Sequence, residues 1–119
     1  MDKLHMQQCK PCRGDEPALT QDEIELFLEQ VPAWKLYQAQ EGPRITRGFS
    51  FDDFSQALSF TDRVGQLAEQ QGHHPRITTE WGKVEVSWWT HKISGLHTND
   101  FIMASRTDKL YDEFSGAAS

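Results

Sequence analysis

The sequence predicts an α+β layer, a four-stranded antiparallel sheet with helices packed on one face, in the order helix, strand, strand, helix, strand, strand, helix. Three observations carry this. Apolar residues recur at helical spacing in three stretches, and between those stretches the period changes to two, each time around a glycine-bearing turn. The length of 119 residues suits one domain rather than two.

Residues 1–18 are polar, aperiodic and punctuated by proline and glycine, which predicts an N-terminal extension that is loosely ordered or packs on the outside of a domain spanning 19–119. Thr20-Gln21-Asp22-Glu23 has the spacing of a capping box, and Ile24, Phe27, Leu28 and Val31 follow on one helical face until Pro32 ends it. Trp34 and Leu36, then Ile45, Phe49 and Phe51, form the two arms of a hairpin that turns at Glu41-Gly42-Pro43. The longest helix comes next, capped by Ser50 or Asp52. Phe54, Ala57, Leu58, Thr61, Val64, Leu67 and Ala68 keep helical spacing along it, and Gly72 and Pro75 close it.

A second hairpin runs from Arg76 to about Thr90 and turns at Trp81-Gly82-Lys83. Val84, Val86 and Trp88 share one face, while Glu85, Ser87 and Trp89 share the other. Thr98 or Asn99 caps the last helix. Its apolar stripe of Phe101, Ala104, Tyr111 and Phe114 is interrupted by Asp108.

A hydrophobic fraction of 37% with 11% aromatics supports a modest core, and a domain of this size often gains stability by oligomerising. The net charge of −6 argues against nucleic acid as a partner, because such affinity comes from clustered Lys and Arg, and none is clustered here. No apolar run approaches the ~18 residues of a membrane span. The opening Met-Asp-Lys-Leu-His lacks the basic-then-apolar order of a signal peptide, so the cytoplasm is the expected location. Cys9 and Cys12 lie together in Cys-Lys-Pro-Cys and cannot staple distant parts of the fold, and no second cysteine pair completes a structural zinc site. Two free thiols is the plain reading, with a metal or redox role as the alternative.

Chemistry is concentrated in Glu69-Gln70-Gln71-Gly72-His73-His74-Pro75, followed by Trp81, His91 and Asp100. Glu69 falls in the last turn of the long helix, where the dipole disfavours a carboxylate, and His73 lies four residues on. The pair reads either as an acid-base set near neutrality or as a helix cap. Pro75 pushes His74 out of the helical region and makes a sharp corner into the third strand. His91 ends the fourth strand and by parity shares the face of Trp89. If strands three and four pair as a hairpin, His73, His74 and His91 meet at one edge of the sheet. Beside Trp89 or Trp81 such a group suits a flat polar heterocycle. Zinc is the rival ligand, but consecutive histidines do not easily aim at one ion and no HExxH pair is present, so no metal site is expected.

Glu69, His73, His74, Pro75, Trp81, His91 and Asp100 reproduce a pattern of Glu-x3-His-His-Pro, an aromatic six residues on, a His ten further and an Asp nine beyond that. This resembles the signature of the pterin-4a-carbinolamine dehydratase family. The similarity runs from about Leu19 to Phe114 and includes Trp34, Phe51-x2-Phe54, Gly95-Leu96 and Asn99-Asp100-Phe101. The resemblance implies four antiparallel strands with helices on one side, assembled as a dimer or tetramer. It also implies dehydration of a 4a-hydroxytetrahydropterin to the quinonoid dihydropterin after aromatic amino-acid hydroxylation, with no cofactor.

By the same resemblance, His73, His74 and His91 line the pterin site with Glu69 in support, and Pro75, Trp89, Thr90 and Asp100 complete the substrate-binding set. His73 and His91 are expected as acid and base, His74 as holding the ring, and Glu69 as orienting His73. One departure is Asn99, where animal members carry arginine. The cysteine-bearing extension lies outside the family core. Two other roles attach to such sequences: dimerisation cofactor for a homeodomain transcription factor, and molybdopterin metabolism.

Overall fold

A computed structural model describes residues 4–7, 9, 17–40 and 42–118. Three α-helices, α1 (Gln21–Gln30), α2 (Phe54–Gln71) and α3 (Thr98–Ala118), cover a sheet of four strands, β1 (Lys35–Ala39), β2 (Gly42–Ser50), β3 (Arg76–Glu80) and β4 (Lys83–Trp88). The strands are all antiparallel in the order β1-β2-β4-β3. The two hairpins therefore join through β2 and β4, with β1 and β3 left as edges. This is the predicted α+β layer. Glu41 of the expected first turn lies outside the described residues.

Alternation sorts the side chains. Ile45 faces Trp88, Arg47 faces Val86 and Phe49 faces Val84 across the central pair, and all of these except Arg47 are sealed beneath the helices. On the opposite face lie Arg44, Thr46, Ser87 and Trp89. Phe60, Val64, Phe101 and Met103 from α2 and α3 complete the core. Trp34 donates its indole N–H to Asp108 at 2.8 Å, and Arg47 reaches the same oxygen at 2.6 Å. Asp108 therefore interrupts the stripe of α3 in order to satisfy two donors that the sheet and its approach bury.

Three local expectations need correction. The cap of α2 is Asp53, whose carboxylate accepts from the Gln56 N–H, because Ser50 is still paired with Lys83 in the sheet. At the start of α3 neither Thr98 nor Asn99 is the cap. His97 takes that place: its Nδ1 accepts from the Asn99 N–H at 3.0 Å while its own N–H donates to Asp100 at 2.9 Å, a capping box built with imidazole. The extension is also not merely external, since Leu4, in a 3-10 turn at Leu4–Met6, is only 4% exposed and packs in the core cluster. The capping box at Thr20 and Glu23 is formed as read. Cys12 lies outside the described residues.

Candidate active site

The C-terminus of α2, the end of β4 and the N-terminus of α3 meet at one edge of the sheet. Gly72 adopts a left-handed conformation at φ 64°, which only glycine takes at little cost, and the chain leaves the helix there. The turn is held by the Gly72 N–H on Glu69 and the His73 N–H on Ala68. It swings the His73 ring onto Trp88, to which it lies nearly parallel with centroids 5.7 Å apart.

His73 Nε2 is 2.6 Å from Asp100 Oδ1. The other oxygen of Asp100 accepts from the Thr90 hydroxyl at 2.9 Å and from the His97 N–H at 2.9 Å. Asp100 has no exposed surface, and a buried carboxylate demands such donors. A carboxylate has no proton to give, so the hydrogen sits on Nε2 of His73. Nδ1 takes no partner among the described residues, yet it is not one of the sealed-off polar atoms, which leaves it as the nitrogen open to a ligand.

Behind this edge, on the face of the sheet without helices, a hollow of about 570 Å³ is lined by Tyr37, Ala39, Arg44, Arg76, Trp89, His91 and Ser94. The exposed His91, in a 3-10 turn at His91–Ile93, lies against Trp89 with ring centroids 4.5 Å apart. Arg44 stacks on Trp89 with its guanidinium carbon 3.9 Å from the ring centroid. Parity thus placed His91 beside Trp89 although the strand itself ends at Trp88.

The carboxylate partner of His73 is Asp100 and not Glu69. Glu69 stands 3.6 Å from Nε2 of His74, and both side chains are largely exposed. Asp100 bonds to both His73 and Thr90, and neither it nor Thr90 lines the hollow, whereas Pro75 is half-buried at the corner between the histidines and β3. Trp81 is far from this edge: it is 73% exposed in the turn at the other end of the β3–β4 hairpin, five strand residues from Pro75. At ~3.3 Å per residue that separates them by most of the sheet's length. Among the described residues, no group of three or more His, Cys, Asp and Glu side chains is disposed to hold a metal.

The sequence does not mark Arg44, Tyr37 or Arg76 as site residues, and Arg76 stands there only as the start of a strand. Alternation puts Arg44 opposite in face to Ile45, but only the β2–β4 pairing, which no local pattern encodes, brings it under Trp89.

Residues 17–110 match the model of the family described as pterin 4 alpha carbinolamine dehydratase. This chain belongs to that family. A relative from Saccharophagus degradans that carries the family's name is 51% identical over 112 residues, covering 94% of this chain and 99% of its own. One from Nitrosococcus oceani is 50% identical over 110 residues, covering 92% and 97%. A crystal structure of a transcriptional coactivator/pterin dehydratase from Brucella melitensis superposes with a TM-score of 0.71 at 31% identity, over 78% of this chain and 97% of that one. A pterin dehydratase-like protein identified as a RuBisCO assembly factor in the alpha-carboxysome has a TM-score of 0.56 at 22% identity, over 66% and 89%, and shares the fold alone. No helix among the described residues is long and apolar enough to cross a membrane.

Proposed function

We propose that this chain dehydrates a tetrahydropterin 4a-carbinolamine to the quinonoid dihydropterin by histidine acid-base chemistry, in recycling of the pterin used by an aromatic amino-acid hydroxylase. The reaction breaks the C4a–O bond, delivers a proton to the departing hydroxyl and removes the proton from N5, whose electrons form the new N5–C4a double bond. Water and the quinonoid product balance the step. The observation that carries the reading is the His73–Asp100 hydrogen bond, which fixes the imidazole tautomer and leaves Nδ1 open.

His73 is then the base at N5, and His91 is the acid at the hydroxyl. The pterin lies across the sheet edge beside Trp89, with His74 holding the ring and Glu69 supporting His74. Thr90 and Asp100 act through His73. The chain works in the cytoplasm as a homo-oligomer.

The experiment follows quinonoid dihydropterin formation from freshly generated carbinolamine. His73→Gln and His91→Gln each keep some hydrogen bonding but cannot titrate near neutrality, and each is expected to slow turnover on the order of 10²-fold or more. The double variant is expected to fold, bind pterin and show almost no catalysis above background. A folded double variant with the wild-type rate would remove the histidines from the mechanism.

A further inference from the structure

Nothing in the proposed chemistry uses the chain before Leu19, yet that segment is tied to both halves of the His73–Asp100 pair. Leu4 is buried in the core cluster. Arg106 of α3 holds the Gln7 carbonyl with two donors, Nε at 2.8 Å and Nη2 at 2.5 Å. The Cys9 N–H donates to Gln71 Oε1 at 3.1 Å, and the Cys9 thiol lies 3.9 Å from the Asn99 carbonyl. Gln71 is the last residue of α2, two before His73, and Asn99 directly precedes Asp100. Cys9 of the extension therefore bridges the end of α2 and the start of α3, next to which His73 and Asp100 form their pair. Burial pushes the Cys9 thiol up to about 11, against the pull of Arg106, and the Asp100 carboxylate adds to the push.

We propose that the segment carrying Leu4, Gln7 and Cys9 is a strap that holds His73 and Asp100 in register and keeps water from their hydrogen bond, with Cys9 and Arg106 as positioning residues. The physical reason is that a charge-assisted hydrogen bond is far stronger in a dry, low-dielectric setting than in contact with water. A base fixed by such a bond also loses rate steeply when its aim drifts. Leu4 pegs the strap and Arg106 clamps it. Cys9 covers the seam.

The inference rests on the dehydratase reading only for its effect on rate, so the test has two readouts. The first is the solvent exchange of the proton between His73 and Asp100, followed by its proton resonance in the full-length chain. In Arg106→Ala, which removes the clamp, and Leu4→Asp, which ejects the peg, the exchange is expected to quicken roughly tenfold or more while amides of β4 keep their protection. Arg106→Lys keeps one donor toward Gln7 and restores slow exchange.

The second readout is turnover. Both disruptive variants are expected to lose roughly tenfold in kcat with little change in KM, because aim rather than binding is impaired. Alkylation of Cys9 quickens alongside, reporting directly that the strap has lifted. If Cys9 becomes reactive while proton exchange and kcat stay at wild-type values, the strap is only structural and the proposal fails. If the wild-type chain turns over no carbinolamine, the dehydratase reading falls, and proton exchange alone decides the strap.

Discussion

Asp108 is bound by Trp34 and Arg47 and still pays for its place. Burial pushes its carboxyl up from 3.8, against the pull of the Trp34 hydrogen bond and of Arg47, and Asp112 adds to the push. In the unfolded chain the group ionises at its ordinary value, so the folded state holds the proton longer. Its contribution to stability is full below 3.8 and is lost as pH rises through the higher folded value. Asp108→Asn keeps an acceptor for both donors without the charge. The variant's stability relative to wild type is therefore expected to rise across that window, measured by denaturant midpoints at pH steps from 3 upward; a constant difference would show that the carboxyl titrates alike in both states. The same scale shows what residue spacing concealed. Glu69 and His73 are four apart, which on a helix means contact. The left-handed Gly72 intervenes, so His73 leaves that face for α3 and Glu69 is left beside His74.

Elements were legible wherever a period ran long enough. The seven-element order and the buried faces of β2, β4 and α2 follow from alternation and helical spacing, and the Thr20 box from its side-chain types. Ends were less so: a cap is decided by where the preceding strand stops pairing, and at His97 by a ring doing the work usually left to a hydroxyl or carboxylate. The pairing of β2 with β4, which puts Arg44 under Trp89, is a tertiary fact with no local trace. The end of α2 matters most for the site. Gly72 has open space where a Cβ would project, so its demand is purely conformational. Gly72→Ala is expected to cost about 1 kcal/mol through its positive φ, and to lower dehydration by misaiming His73. Chemical denaturation with parallel kinetics checks both, and full activity in a destabilised variant would uncouple the turn from the site.

For the whole molecule, the sheet leaves β1 and β3 as edges with no further strand beside them among the described residues. Phe54 and Leu58, four apart on α2, remain 45% and 53% exposed. Edges of this kind invite strand pairing, and two apolar side chains on one exposed helical face invite burial against another copy. Against association stands the net charge of −6, since identical acidic surfaces repel. Salt screens that repulsion within a Debye length of ~10 Å at 0.1 M while leaving apolar burial intact or stronger. A homo-oligomer is therefore expected at micromolar concentration, tightening as salt is raised. Leu58→Lys should weaken it, because the change puts a solvated charge where burial is needed. Light scattering across a salt series is the measurement. A 13.7 kDa particle at every salt concentration would mean that neither the edges nor the α2 face finds a partner in another copy. A multimer that Leu58→Lys leaves intact would instead assign assembly to the sheet edges, where backbone hydrogen bonds rather than side-chain burial hold the copies together.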